Sequence, residues 1–116
     1  MGEIVVKRVY DDADAADGFR ALVDRLWPRG VSKERAGLDA WWKELAPSAE
    51  LRTAWHAAPD RFEEFAAAYR AELEGRDLAE ALDVIRSHER VTLLFGAHDT
   101  ERNHAVVLRD YLLLQA

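Results

Sequence analysis

A continuous apolar run near the end of the chain constrains the fold more than any other feature. Residues 91–95 are Val, Thr, Leu, Leu and Phe, and Gly96 follows them. A run without the alternation of a half-exposed strand is typical of a strand buried on both faces. Such a strand needs a sheet with helical cover on both sides. The run therefore predicts an α/β fold with a small, mostly parallel sheet covered by helices on both faces.

Other segments supply further strands and helices. Residues 4–10 are β-branched and aromatic, which predicts a first strand. The last helix is expected to bury Ala105, Leu108 and Leu112, which share one helical face. Residues with good capping side chains predict where the helices begin: Ser48, Asp60, Asp77, and either Asp99 or Thr100.

Residues 19–27 permit two structures. Their apolar residues fall on one helical stripe, which favours a helix. The same residues also permit a short buried strand that ends at Asp24 and Arg25, with Pro28 and Gly30 closing the segment. Periodicity favours the helix, and the flanking residues leave the strand as an alternative.

Composition limits the class of protein. With 116 residues, the chain is expected to form a single domain over residues 1–116. It has no Cys, which excludes disulfides, thiolate metal sites and thiol nucleophiles, and which fits a cytoplasmic protein. The longest apolar runs are too short to span a bilayer, and the first residues lack the layout of a signal peptide. No membrane association is expected.

The net charge of −6 argues against broad binding to nucleic acid, which needs a basic surface. A local basic pocket is still compatible with that charge. The acidic run at residues 11–18 is expected to be a solvated loop. Nucleic-acid binding stays open only if five basic residues form one stripe: Arg20, Arg25, Arg29, Lys33 and Arg35.

The most distinctive string is the heptapeptide at residues 24–30, which reads Asp-Arg-Leu-Trp-Pro-Arg-Gly. Together with residues 7–10, 43–48 and 103–108, it resembles the YeaO-like proteins of the domain-of-unknown-function family 488 (DUF488). The resemblance covers nearly the whole chain, and it implies no established activity. It does favour a strand end followed by a Pro-containing loop. We therefore predict a strand at residues 22–25.

The resemblance also bears on chemistry. The wider family often has Cys-His-Arg after the last strand, and the comparable positions here are Asn103, His104 and Ala105. Only the histidine is kept. Chemistry that depends on that Cys or Arg is therefore not expected of this chain.

Arginine side chains follow the predicted strand end. Arg25 and Arg29 carry planar guanidinium forks, which suit carboxylate or phosphate oxygens. Lys43 would add charge, and Trp27 would offer a ring for stacking. Because ligands of open α/β sheets bind outside the carboxyl ends of the strands, we expect these four residues to bind a small anionic ligand. The alternative is that Arg25 pairs with Asp24 or another acidic residue and only stabilises the loop.

A second polar loop lies between the buried run and the last predicted helix. His104 could act as acid, base or hydrogen-bond donor near neutral pH, and Asn103 could orient the ligand. His104 and Asp24 are therefore the candidate catalytic residues, although His104 could instead pack within its helix. His98, Asp99 and His104 lack a recognised metal-ligand spacing. No metal and no cofactor is expected.

The residues leave more than one function open. The first is binding of a small ligand that bears phosphate or carboxylate, with or without acid/base chemistry. The second is a protein-interaction module without catalysis, in which an exposed Trp27 or Trp42 beside arginines contacts a partner. Whether the chain is an enzyme, which ligand it binds and how many copies associate are not determined by the sequence.

Overall fold

A four-stranded parallel sheet forms the centre of the molecule. The computed structural model describes residues 2–115. The strands follow the order β1-β4-β2-β3, and each neighbouring pair is parallel. Because all four point the same way, the loops that follow them leave from one edge of the sheet, the carboxyl edge. The strand bounds are β1 (Glu3–Arg8), β2 (Phe19–Leu22), β3 (Ala40–Trp41) and β4 (Arg90–Phe95).

Helices connect the strands and cover both faces of the sheet. Two single turns of 3-10 helix, Ala15–Asp17 and Lys43–Leu45, accompany them. Ser48 caps α2 as predicted, because its side chain accepts a hydrogen bond from the Leu51 backbone N–H. The helix bounds are α1 (Lys33–Ala36), α2 (Ala49–Ala57), α3 (Phe62–Glu74), α4 (Ala79–Ser87) and α5 (His104–Gln115).

The central strand β4 is buried on both faces, as the apolar run predicts. Residues 91–95 are all buried. Successive side chains of a strand point to opposite faces. Accordingly, Leu93 and Phe95 belong to the main core, which contains residues of α3, α4 and α5. Leu94 belongs to a second cluster with Leu22 and with Ala36 of α1. The predicted α/β class with helical cover on both faces is confirmed.

The strand predicted at residues 22–25 exists, but its bounds are wrong. β2 occupies Phe19–Leu22. The Val23 N–H still donates to the Leu94 carbonyl at 2.9 Å. Beyond that point a side chain replaces the backbone ladder, because the Asp24 carboxylate accepts the Gly96 N–H at 2.9 Å. Residues 24–25 therefore lie outside the strand, at the carboxyl edge.

Three predicted helix caps are also wrong. Asp77 lies one residue before Leu78, the N-cap of α4, which has no side-chain cap. Asp60 does not cap α3, which begins after Arg61 without a side-chain cap. Neither Asp99 nor Thr100 caps α5, since Asn103 takes that role by accepting the Val106 N–H at 3.0 Å. Asp99 instead accepts two backbone N–H groups in the preceding turn. The sequence thus predicted the capping residue correctly for α2, placed it at the wrong residue for α5, and predicted a side-chain cap for α3 that the structure lacks.

The acidic run divides into two parts. Residues 11–16 are exposed, as a solvated loop should be. Asp17 is buried, however, and it pairs with Lys7 and Arg20. Arg20 is only 5% exposed, so it cannot contribute to a basic surface stripe. Across residues 2–115, no helix combines the length and apolar character needed to cross a membrane.

Candidate functional site

A cavity of about 380 Å³ opens at the carboxyl edge of the sheet, and we call it the strand-end cavity. Residues that follow β1, β2 and β4 form one side of it. Residues 46–47 and one face of α2 form the other side. Its polar and aromatic lining consists of Tyr10, Asp24, Arg25, Trp27, Arg29, Arg52, Trp55, His56 and His104.

The heptapeptide at residues 24–30 forms a fixed loop along this cavity. The Trp27 indole N–H donates to the Val31 carbonyl at 2.6 Å. The Tyr10 hydroxyl donates to the Arg29 carbonyl at 3.0 Å. Gly30 has a φ of 77°, which side chains other than glycine rarely adopt. These local constraints hold the backbone that carries the two arginines.

The Arg25 guanidinium is oriented by the backbone across the cavity. Its Nε donates to the Pro47 carbonyl at 3.1 Å, and its Nη2 donates to the Ala46 carbonyl at 3.4 Å. Within residues 2–115 it makes no ion pair with Asp24 or with another acidic residue, so the ion pair of the loop-stabilising alternative is not found. Because the carbonyls carry no formal charge, the positive charge of Arg25 is not neutralised by them.

Asp24 and His104 meet at the strand-end side of the cavity. His104 Nε2 lies 2.8 Å from Asp24 Oδ1 and 3.1 Å from the Val23 carbonyl oxygen. Since both neighbours are acceptors, Nε2 carries the proton. Its N–H is aligned with the carbonyl, so Oδ1 receives no well-directed hydrogen bond within residues 2–115. The short separation makes this an ion pair only when the imidazole is protonated.

Helix α2 contributes residues that the sequence analysis missed. Arg52 and His56 line the cavity, as does Trp55, whose ring stacks on Phe65. The Arg52 Nε and Trp55 Nε1 donors are buried without an acceptor within residues 2–115. The spacing of four between Arg52 and His56 does place them on one helical face. The tertiary packing decides which face of α2 meets the strand ends. The spacing of four was therefore not sufficient to predict that these residues line the cavity.

The structure brings together five of the seven predicted site residues. Asn103 and Lys43 are the exceptions. Asn103 is fully buried, and its side chain is used in capping α5 and in a hydrogen bond to the Asp99 carbonyl. Lys43 lies over the ring of Trp41, 4.9 Å from its centroid. The five that line the cavity are Asp24, Arg25, Trp27, Arg29 and His104.

The two tryptophans expected to contact a partner, Trp27 and Trp42, are at least partly buried. Trp42 is 3% exposed and packs in the main core. Trp27 is half-buried and meets Trp41 edge to face. The exposed apolar side chains near the cavity are Leu26, at 58%, and Trp41, at 36%. No group of three or more His, Asp or Glu side chains that could hold a metal ion exists in residues 2–115.

A substitution at Gly96 tests how tightly the Asp24 carboxylate is held. A Cβ at this position would lie 2.9 Å from Asp24 Oδ2, closer than real contacts allow. We expect Gly96→Ala to lower the free energy of unfolding by about 1–3 kcal/mol and to shift the NMR signals of the His104 ring. Urea denaturation and NMR spectra would measure both effects.

Gly75→Ala is the matched control for this prediction. A Cβ at Gly75 would lie an ordinary 3.7 Å from the nearest atom, and its φ of −92° suits alanine. We expect this variant to be neutral or slightly stabilising. Equal behaviour of the two variants would show that Asp24 is free to move away from Gly96.

Comparisons with known proteins agree with the resemblance in residues 24–30. The family model described as "Inactive DUF488-N3 subclade" matches residues 3–116. The chain is 47% identical over 114 residues to the uncharacterized protein YeaO of Escherichia coli (strain K12), covering 94% of the chain and 96% of the relative. It is 41% identical over 107 residues to uncharacterized protein Rv3073c of Mycobacterium tuberculosis (strain ATCC 25618 / H37Rv), covering 92% and 91%. No solved structure matches.

Proposed function

The chain belongs to the inactive DUF488-N3 subclade, and on that premise we propose that its strand-end cavity binds a small anionic ligand without covalent chemistry. The ligand would bear a phosphate or a carboxylate. The charge of the lining carries the proposal. The whole chain has 16 basic residues against 22 acidic ones, yet three arginines and one carboxylate line this cavity. Positive potential is therefore concentrated where α/β sheets bind ligands.

Two other cavities have the opposite charge balance. One of about 330 Å³ is lined by one arginine and three acidic residues. Another, of about 710 Å³, is lined by one arginine and two acidic residues. The arginine excess of the strand-end cavity is therefore not a general property of the surface, which supports a specific role for it.

One cationic group, Arg25, is also held in place before a ligand arrives, and a second, Arg52, has a donor to offer. Arg25 is fixed by two backbone carbonyls, and Arg52 keeps a buried Nε donor without an acceptor within residues 2–115. A buried donor without a partner costs about 1–3 kcal/mol. Donors that are already ordered lose less entropy on binding. Both features favour an acceptor-rich ligand in the cavity.

The residue types in the lining support binding without covalent chemistry. None of the lining residues is Cys, Ser or Thr, as far as residues 2–115 are concerned. Asn103 stands where the wider family often has Cys. The family to which the chain belongs is itself described as inactive, which points the same way. A proton-exchange role for His104 and Asp24 stays a prediction.

An anion titration of Arg52→Gln tests the proposal. We expect the wild-type protein to bind both phenyl phosphate and benzoate, with the backbone amide signals of Gly96 and Ala97 shifting. The variant should bind each at least about tenfold more weakly, because a hydrogen bond to a charged group contributes about 1.5–3 kcal/mol. Protein NMR at constant ionic strength would measure both dissociation constants. The variant should fold, since the substitution removes a buried donor that lacks a partner.

Arg70→Gln is the matched control, because Arg70 is exposed on α3 and does not line the cavity. It makes the same change in net charge. We expect wild-type affinity for both anions, and neutral phenol should bind more weakly than either anion in every variant. Equal losses in the two variants would contradict the proposal, since only non-specific charge attraction would then be at work.

A further inference from the structure

We infer that the ligand of the strand-end cavity is a phosphomonoester of a flat, aromatic or heterocyclic group, bound in preference to a carboxylate. This inference rests on the proposed anion binding and specifies its ligand class. It depends on three properties of the cavity, namely its charge, the orientation of Arg25 and the nature of its walls.

The charge of the lining matches a dianion. Three arginines and one aspartate leave a formal charge of +2 when both histidines are neutral. A phosphomonoester carries about −1.5 to −2 at neutral pH, whereas a carboxylate carries only −1. A carboxylate would therefore leave one guanidinium in the cavity without a counter-charge. A phosphomonoester would neutralise the lining.

The orientation of Arg25 disfavours the usual paired recognition of a carboxylate. Nε and Nη2 form the edge of a guanidinium that binds both oxygens of a carboxylate side-on. In Arg25 this edge already donates to the carbonyls of Pro47 and Ala46. The cavity thus offers donors from three separate residues, Arg25, Arg29 and Arg52, and the side-on edge of Arg25 is already occupied. Three terminal phosphate oxygens suit such a distribution better than two carboxylate oxygens.

The position of Asp24 indicates where the phosphate would lie. Asp24 is the one acidic residue in the lining of the described chain, and it sits on the strand-end side with His104. Its charge repels an anion from that side. Arg25 reaches across to residues 46–47, which lead into α2, and Arg52 lies on α2 itself. The phosphate is therefore expected against α2.

The walls of the cavity are apolar and aromatic. Tyr10, Trp27 and Trp55 all contribute rings to the lining, and Pro28 and Pro47 add rigid apolar surface. The volume of about 380 Å³ falls in the range of small-molecule sites. Inorganic phosphate would leave most of this volume and apolar surface unused. A flat ring attached to the phosphate would bury this apolar surface, because aromatic rings pack well against one another.

Four probes at constant ionic strength and pH 7.5 test the inference. Phenyl phosphate is a dianion with a ring, and methyl phenyl phosphate is the corresponding monoanion. Benzoate is a carboxylate with the same ring, and glycerol 3-phosphate is a dianion without a ring. We expect phenyl phosphate to bind the wild-type protein at least about tenfold more tightly than each of the other three. Arg52→Gln should weaken phenyl phosphate by a larger factor than benzoate, and Arg70→Gln should change neither.

The outcomes separate this inference from the proposal on which it rests. If benzoate or methyl phenyl phosphate binds as tightly as phenyl phosphate, preference for a dianion is wrong while anion binding stands. If glycerol 3-phosphate binds as tightly as phenyl phosphate, the inferred preference for a flat ring is wrong. If none of the four probes binds, both the inference and the proposed function are overturned. Urea denaturation of each variant would show that a lost affinity does not come from unfolding.

Discussion

Replacing Asp17 with asparagine is expected to lower the free energy of unfolding by about 3–5 kcal/mol at pH 7. The Asp17 carboxylate accepts hydrogen bonds from Lys7 Nζ, at 3.0 and 3.1 Å, and from the Arg20 guanidinium. Asp17 and Arg20 are both buried. Asparagine would leave the Arg20 charge buried without a counter-charge, which is why the expected loss is large. Urea denaturation of the two proteins would measure it.

The same carboxylate predicts a dependence of stability on pH. Burial raises the pKa of Asp17. Hydrogen bonds from the Asp14 backbone and from Lys7 and Arg20 lower this pKa by more than burial raises it, so the net pKa lies below the ordinary 3.8. A group with a depressed folded-state pKa stabilises the fold above its unfolded pKa. That stability is lost as the pH falls from about 4 through the folded-state pKa. The wild-type protein should lose more stability over this range than Asp17→Asn.

Asp12→Asn is the control for both measurements. Asp12 belongs to the same acidic run, but its side chain is fully exposed and lies 3.9 Å from Arg35. Exposed ion pairs contribute little. We expect its unfolding midpoint to equal that of the wild-type protein. A similar loss in both variants would mean that the acidic run acts through net charge and not through the buried pair.

Replacing Leu93 with alanine is expected to lower the free energy of unfolding by about 2–5 kcal/mol. Leu93 is completely buried in β4, and its backbone lies in register between Val6 of β1 and Ala21 of β2. Removing three carbon atoms at this point leaves a void that the neighbouring strands and helices cannot fill without moving. Thermal or urea denaturation would measure the loss.

Leu114→Ala makes the same chemical change on the surface. Leu114 lies near the end of α5 and is 81% exposed. Because little apolar surface is buried there, we expect almost no change in stability. If Leu93→Ala were as mild as Leu114→Ala, the centre of the sheet would not be the close-packed core that its burial indicates.

The two heptapeptide arginines show how far local sequence can predict a site. Pro28 and Gly30 indicated a loop, and the resemblance placed that loop after a strand. From this, Arg25 and Arg29 were correctly expected at the carboxyl edge. The strand bounds were nevertheless wrong, because a side chain of residue 24 replaces the backbone ladder at Gly96. The periodicity of a sequence cannot predict a contact between two residues that are 72 positions apart, as Asp24 and Gly96 are.

Asp17 and Asn103 show what the local sequence did not predict. Both are polar residues in polar segments, and the sequence indicated a solvated loop for the first and a ligand contact for the second. The structure buries both, one beside Arg20 and the other beneath the start of α5. Buried polar groups must be hydrogen-bonded, and the partners here are close in sequence: Arg20 for Asp17, and Asp99 and Val106 for Asn103. What the sequence did not indicate is the burial of the two side chains, which comes from the packing of other elements around them.

The sequence alone determined the α/β class, the doubly buried strand, the family and the loop that carries Arg25 and Arg29. These depend on local patterns of apolar, capping and turn-forming residues, which act over a few positions. Only the tertiary structure decided that Arg52, Trp55 and His56 of α2 complete the cavity, and that Lys43 and Asn103 stay out of it. The face that a helix turns toward a sheet is fixed by packing across the whole core, and packing joins residues that no local pattern connects.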